Sequence, residues 1–512
     1  MSSTRLIRTR SPNGLLLGAL LTVVVMAVLL VLILILENLP FREFEQPLLL
    51  CLGIFLAIIS LLPAFISMYV HGHGFDLFHP LLYAAYFFFI PEFVIVSFML
   101  VLGQVTTSSA LLLGDPALAR IAAMKFAILG SIGLTLGYFL PVGRLLGRLL
   151  PTFKALDYPT TKLQISAVIL LLLGLIAQVG AFRSGLFGYQ SNQEIAIFGA
   201  AFAFFSQCML VSHGVIWYSY FKEKRGWWLP SMLSIAVIIL TALVSGSRAA
   251  LILPLLIVVA GYQYAQDNFK PAKLWKWALL AVLALWIGIV FGTYFRSIKT
   301  ELLGRTTSMS FSDVLLIANL TRLTIQKQPL LDLISFGWDW LPHRLDGITQ
   351  LGVILNFADQ FKAAERAIGI DNNIIKDMLN AFIPRFVWTS KPIVGGTEQI
   401  GNLYFNVSNY SPAVTYMGDL YRNFGVWGIA PGMLIIGVTL RVLYVWLVEK
   451  QSRSPLRISL FLVLAGVVNY EGMYSTYFPS LIRTFVVALT AIAIVTMLGR
   501  FSFSKTPTSG DP

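Results

Sequence analysis

Residues 48–70 read LLLCLGIFLAIISLLPAFISMYV, twenty-three side chains without one charge. A helix that long reaches across the roughly 30 Å hydrocarbon core of a bilayer, which takes about 20 apolar residues. Nothing in the run marks a β-strand, because the apolar character neither alternates nor stops after a few residues. Working outward, the same signal recurs on both sides. The spacing predicts twelve spans: 15–36, 48–70, 81–103, 121–140, 164–182, 195–220, 228–246, 249–264, 277–295, 425–447, 458–475 and 484–499. The first lacks a small-residue cleavage site and reads as an anchor rather than a signal peptide. The fold class expected is therefore an all-α polytopic membrane protein.

Composition agrees. Of the 512 residues 57% are hydrophobic and 12% charged, against about a quarter charged in soluble domains. That balance excludes a soluble enzyme, a disordered chain and a disulfide scaffold. Cys51 and Cys208 are the only cysteines, both within apolar runs, where a small buried hydrophobe is the ordinary reading.

The net charge of +13 would suit nucleic acid were it not for its distribution. With the N-terminus in the cytoplasm, the inner segments hold eighteen Lys and Arg and the short outer loops hold five, Arg42, Arg120, Arg183, Arg248 and Arg483. Lys and Arg accumulate on the cytoplasmic side of short loops. The charge is a topology signal that puts both termini inside and argues against a nucleic-acid partner.

Residues 296–412 break the rhythm. This connection of about 117 residues on the outer face carries eleven basic and ten acidic side chains, and long connections of this kind are usually functional. Ser312-Asp313 ahead of Leu315, Leu316, Leu320 and Leu323 predict a capped amphipathic helix. Asp371-Asn372-Asn373 open a second, with Ile374, Ile375, Met378, Leu379 and Phe382 on one side and a stop near Pro384. The organisation expected is spans one to nine over 1–295, a helical cap over 296–412 against the outer leaflet, a re-entrant segment with spans ten to twelve over 413–500, and a cytoplasmic tail over 501–512.

Four stretches carry side chains suited to chemistry. Ser245-Gly246-Ser247-Arg248 is a tight outer turn that leaves one arginine at the membrane surface; Arg captures phosphate oxygens in pairs, although it also fits a side chain snorkelling at a helix end. Ile383-Pro384-Arg385-Phe386-Val387-Trp388-Thr389-Ser390-Lys391-Pro392 sets Arg385 and Lys391 beside a tryptophan of the headgroup level, for lipid phosphate or a lipid-linked pyrophosphate. Thr415-Tyr416-Met417-Gly418-Asp419-Leu420-Tyr421-Arg422-Asn423-Phe424-Gly425 puts Asp419 and Arg422 on one helix face, either as an internal pair or lining a cavity. Asn469-Tyr470-Glu471-Gly472 offers Glu471 as a base, a sugar-hydroxyl ligand or a counter-charge.

Other features are weaker. Pro91-Glu92 predicts a kink in the third span. His71, His73 and His79 with Asp76 make a thin metal motif, and His213 reads as a satisfied bundle histidine. No Walker A loop, dinucleotide fingerprint or acidic metal pair is present, so neither nucleotide, metal nor other cofactor is expected. The outer cations Arg248, Arg296, Arg305, Arg385, Lys391, Arg422 and Arg483 cluster on one side. Fixed cations of that kind stabilise charge that builds on a pyrophosphate as a glycosidic bond breaks.

The Ser245–Arg248 turn, the Ile383–Pro392 stretch and Tyr421-Arg422-Asn423-Phe424-Gly425 before Gly428, in this order around a large outer connection, resemble the bacterial O-antigen (Wzy-type) polymerases, or oligosaccharide repeat unit polymerases, over roughly residues 160–500. The resemblance implies a C-type membrane glycosyltransferase fold in the inner membrane. It also implies transfer of a growing glycan from undecaprenyl pyrophosphate to a new lipid-linked repeat unit at the periplasmic face. Arg248, Arg296, Arg305, Arg385, Lys391, Tyr416, Arg422, Tyr470 and Arg483 would then bind pyrophosphate or glycan. Glu471 or Asp419 would orient or deprotonate the acceptor. Membrane lipid, the lipid-linked oligosaccharide and a chain-length regulator are the partners implied.

Related ligases carry a histidine motif in the large loop. Here the only loop histidine stands in Leu341-Pro342-His343-Arg344-Leu345, which departs from that motif, so a polymerase is preferred to a ligase. A lipid-linked oligosaccharide flippase and a non-catalytic assembly partner stay open as rivals. Against the flippase stand the large connection and the lack of similarity between the two halves.

Overall fold

The computed structural model describes residues 44–70, 75–103, 112–184, 199–224, 226–245, 249–266, 274–304, 309–383, 387–388, 391, 394–407, 414–449, 454–469 and 472–499. Among the described residues every regular element is helical. In chain order the helices are α1 Glu45–Val70, α2 Pro80–Val101, α3 Pro116–Phe139, α4 Pro141–Leu149, α5 Thr160–Arg183, α6 Ala201–Glu223, α7 Trp228–Ser245, α8 Ala249–Ala265 and α9 Leu274–Leu303. They continue as α10 Phe311–Lys327, α11 Leu330–Leu345, α12 Gly347–Ala367, α13 Asn373–Asn380, α14 Thr397–Phe405, α15 Tyr416–Phe424, α16 Val426–Glu449, α17 Pro455–Ala465 and α18 Tyr474–Leu498.

Seven of these, α1, α2, α3, α5, α6, α16 and α18, are long and apolar enough to cross a membrane. The apolar stretches Trp228–Thr241, Leu253–Ala265 and Pro455–Ala465 are shorter, and the expected ninth span falls inside α9. The expected first span lies outside the described residues. Pro91 does not stop α2. Lacking an amide hydrogen, it is accommodated by a wider π-helical turn over Ala85–Ile95, a usual response to a broken hydrogen-bond ladder.

The chain divides into two compact units. The first comprises Met1–Leu149, Gln328–Trp446 and Ala465–Ile482. Its spine is α3 with α4 packed parallel to α16, backbone against backbone. A Cβ on Gly137 would sit 2.7 Å from the Leu434 carbonyl carbon, one on Gly437 2.9 Å from that of Leu134, and one on Gly143 2.8 Å from Arg441 Cβ. Hydrogen is the only side chain that allows such approach. Where α3 and α16 end, Asp76, His79, Tyr138, Arg441 and Tyr444 form a buried polar cluster. Arg441 Nη1 donates to Tyr138 Oη (2.9 Å), which lies 3.1 Å from His79 Nε2, and Tyr444 Oη donates to Asp76 Oδ2 (2.8 Å). This explains His79 as a packed residue; His71 and His73 lie outside the described residues. No metal-competent group of His, Cys, Asp and Glu occurs among the described residues.

Above this spine, Asp346 caps α12 by accepting the Thr349 amide (2.9 Å), and Gly347 presses on Glu92 of α2, whose Cβ would be 2.8 Å from an added methyl. Val353 and Ile354 of α12, Ile400, Tyr404 and Phe405 of α14, Ile370, Val414 and Met473 make one apolar core. Thr415 caps α15 through the Gly418 amide (3.1 Å). Gly425, at φ +66°, turns the chain from α15 directly into α16.

The second unit comprises Leu150–Lys327, Leu447–Leu464 and Arg483–Pro512. Gly174 lets α5 lie on α6, and His213 of α6 bonds the Ser234 hydroxyl of α7 and the Pro254 carbonyl of α8 (3.1 Å). Arg457 is buried and grips Asp157 with two nitrogens, at 2.7 and 3.1 Å. Phe295 of α9 packs with Met309, Val314 and Ile317. The cap of α10 is a correction: Ser310, not Ser312, closes it, through Asp313 N to Ser310 Oγ (3.2 Å) and Ser310 N to Asp313 Oδ2 (2.8 Å), a reciprocal box. The sidedness differs too, for Val314, Ile317 and Thr321 are buried while Leu315, Leu316 and Leu323 stay exposed. Cys51 is likewise exposed and Cys208 buried, and neither is in a disulfide.

Candidate functional site

The side chains with most chemistry meet in the first unit, where α12, α13, α15, the chain around Gly395 and the start of α18 converge. At the centre is Arg422 of α15, its side chain without exposure. Nη1 donates to Glu365 Oε1 of α12 (2.8 Å) and to the Ile370 carbonyl (3.0 Å). Nη2 donates to Asp419 Oδ1 one turn back (2.9 Å) and to Asn373 Oδ1. A guanidinium can leave water only if carboxylates replace the hydration it loses, and two do so here.

Each partner is held in turn. Tyr404 Oη donates to Glu365 Oε1 (2.9 Å), and burial together with that carboxylate raises the Tyr404 phenol above its usual range. Asn423 Nδ2 donates to Asp419 Oδ1 (3.2 Å) and Asn373 Oδ1 (3.0 Å), and the Ser475 amide donates to Asp419 Oδ2 (2.7 Å). Each oxygen of Asp419 thus accepts at least one hydrogen bond, and the residue is fully buried.

The same cluster holds a third carboxylate, Asp377. Asn373 and Asp377 stand one turn apart on α13 and take the Gly395 peptide between them: Gly395 N donates to Asp377 Oδ2 (2.8 Å) and Asn373 Nδ2 donates to Gly395 O (3.3 Å). Burial pushes the Asp377 carboxyl up to about 6; the Gly395 amide draws it back and the neighbouring Asp419 charge pushes it further. By contrast Asp371 on the surface is held low by its bond to Lys376 (2.8 Å).

This arrangement inverts the expected sidedness of α13. Its buried residues are Asn373, Ile374 and Asp377, while Ile375, Leu379 and, just beyond its end, Phe382 are exposed. The polar face is the one that packs, because Asn373 finds partners on α15 and Asp377 finds the Gly395 amide.

The residues singled out in sequence fall into three sets. Asp419, Arg422 and Lys391 belong to this cluster, with Lys391 closing the end of α13 by donating to Asn380 O (2.6 Å) and Ile383 O (2.8 Å). Tyr416 shares α15 but is buried elsewhere on it, its hydroxyl donating to Val467 O (3.2 Å) and its ring edge-on to Phe88 at 5.0 Å. Arg296, half-buried on α9, and Arg483, exposed on α18, belong to the second unit and take no part in the Arg422 network. Arg248, Arg305, Arg385, Tyr470, Glu471 and the side chain of His343 lie outside the described residues. Glu365, Asp377, Tyr404 and Ser475 complete the cluster and were not singled out, whereas sequence marked Asn373 as a helix start and Asn423 within the Tyr421–Gly425 motif. For Asp377 the sequence signal was its one-turn spacing from Asn373 ahead of the Gly395-Gly396 pair.

Chemically the cluster provides a rigid cation, a carboxylate that exchanges its proton near neutrality, and an apolar surround at the head of a long apolar helix. Compared with protein-family models, with curated proteins and with solved structures, the chain matches none.

Proposed function

We propose that the chain is a membrane glycosyltransferase of the O-antigen polymerase kind, which moves a growing glycan from undecaprenyl pyrophosphate to a new lipid-linked repeat unit. The observation that carries this reading is the Arg422 network. It places interlocked ionisable side chains from the large connection directly before α16, a helix long and apolar enough to span a bilayer. A substrate whose polar head reacts while its tail stays in lipid needs a polar site at such a boundary. The order of the three sequence motifs supports the same reading.

In this proposal twelve spans place both termini in the cytoplasm of a bacterial inner membrane, and residues 296–412 face the periplasm. Arg422, committed to two carboxylates, shapes the site rather than binding phosphate by itself. Capture of the pyrophosphate falls to the cations nearer lipid, Arg248 and Arg385 foremost, with Lys391 fixing the chain that bears Arg385. The product would leave with no nucleotide consumed.

Reconstitution tests it. Purified protein in liposomes receives undecaprenyl-pyrophosphate-linked oligosaccharide with chelator and no nucleotide. A ladder of longer lipid-linked glycans with release of undecaprenyl pyrophosphate is expected. Movement of the substrate between leaflets without a ladder would make the protein a flippase instead.

A further inference from the structure

The Arg422 network leaves two buried polar atoms unspent. Ser475 Oγ and Arg422 Nε lack a hydrogen-bond partner among the described residues. Buried polar atoms are nearly always satisfied, and an orphan marks a missing ligand, water or strain. Asp377 belongs to the same network and spends its Oδ2 on the Gly395 amide: Asn373 joins Gly395 to Arg422, and Ser475 is tied to Asp419.

Gly395 draws Asp377 and Ser475 together. At φ +89° it takes a left-handed conformation, its amide lies on Asp377, and a Cβ there would fall 2.9 Å from Thr476 Cγ2 and 3.8 Å from Ser475 Oγ. Asp377 and Ser475 therefore flank the same bare glycine, one with an acceptor oxygen and the other with a hydroxyl. An alcohol is the ligand class that uses both: it donates its hydrogen to a carboxylate and accepts one from a serine.

We infer that Asp377 and Ser475 form the binding site for the acceptor hydroxyl of a sugar, with Asp377 as the catalytic base. This rests on the transfer reaction proposed above. In the step, the acceptor oxygen bonds to the donor's anomeric carbon while its proton passes to the Asp377 carboxylate. The bond from that carbon to the pyrophosphate oxygen breaks, the electron pair leaves on the pyrophosphate, and Asp377 then gives its proton to water. Asp377 suits the task better than Asp419, whose oxygens are all occupied. Its carboxyl also loses its proton close to neutrality, where a general base works best.

The test is polymerisation by the purified full-length protein in liposomes, with undecaprenyl-pyrophosphate-linked oligosaccharide as substrate, from pH 4.5 to about 8. Wild-type rate should rise with pH through a midpoint near that of Asp377. Asp377→Asn should lower the maximal rate about 10²–10⁴-fold, the usual worth of a general base, and abolish that rise, while the protein stays folded and its binding of undecaprenyl pyrophosphate stays as in wild type. Asp377→Glu should recover part of the rate with a displaced midpoint. Ser475→Ala should raise the KM for acceptor about tenfold, the effect of one lost hydrogen bond. A wild-type rate and pH profile in Asp377→Asn would overturn the inference and leave the polymerase reading standing. If wild-type protein makes no longer glycan at all, that reading fails and the inference falls with it.

Discussion

Arg422 and Glu365 meet at 2.8 Å across fifty-seven residues of sequence, both side chains withdrawn from water. The pair ties α12, in the large connection, to α15, the helix that leads into α16, which is long and apolar enough to cross a membrane. It does so in an environment where neither charge would persist alone.

Removing one member should therefore cost more than the pair contributes. Glu365→Ala leaves Asp419 as the one carboxylate on Arg422 and strips Tyr404 Oη of its acceptor. A loss of about 3–5 kcal/mol is expected, the usual result of orphaning a buried charge. Thermal unfolding in detergent measures it, and Glu365→Gln, which keeps an acceptor, should lose less.

Asp377 gives stability a pH dependence of known sign. Its carboxyl, ordinarily near 3.8, titrates at about 6 in the folded chain, so between those values the folded state binds more protons than the unfolded one. Stability from this group falls as pH rises from about 4 to about 6 and is level above that. Asp377→Asn should flatten the slope of unfolding free energy in that window. An unchanged slope would show that Asp377 titrates normally.

The parallel packing of α3 on α16 fixes which of their ends share a membrane face. In a protein freed of Cys51 and Cys208, Leu118→Cys and Trp427→Cys, both exposed at helix starts, should react with an impermeant maleimide from the same side. Leu149→Cys, at the end of α4, should react from the other. Labelling of Leu118→Cys and Trp427→Cys from opposite sides would refute the packing.

The glycines of that seam admit a sharper test. Gly137→Ala drives a methyl onto Leu434 backbone, which no rotamer can relieve. A loss of about 1–3 kcal/mol is expected from overpacking. Gly114, which has open space around it, should take alanine without effect.

Seven of the twelve spans expected from sequence return as helices long and apolar enough to cross a bilayer, because length and apolarity are read directly. Caps follow short-range rules too, yet the sequence points to Ser312 where Ser310 closes α10, and nothing in sequence set Asp346 and Thr415 apart as caps. Sidedness was not legible. The apolar stripe of α13 is plain in sequence, but in a membrane protein apolar residues can face lipid while polar ones pack, and Asn373 and Asp377 do the latter. Asp419 and Arg422 were visible from their spacing. Glu365 was not, since nothing local separates it from the ordinary charges of α12. Arg457, one of the eighteen cations that the sequence puts in the inner segments, shows the same limit, for it is buried against Asp157.

The bond from the Ser475 amide to Asp419 Oδ2 also bears on the order of biosynthesis. Every other strand of the network precedes Asn423, so the ribosome finishes Glu365, Asp377, Asp419 and Arg422 while Ser475 is still to come. A nascent chain halted between α16 and α18 would hold the Asp419 carboxylate with its last hydrogen bond unmade. The site is thus complete only once α18 has begun, because Ser475 supplies the bond to Asp419 Oδ2.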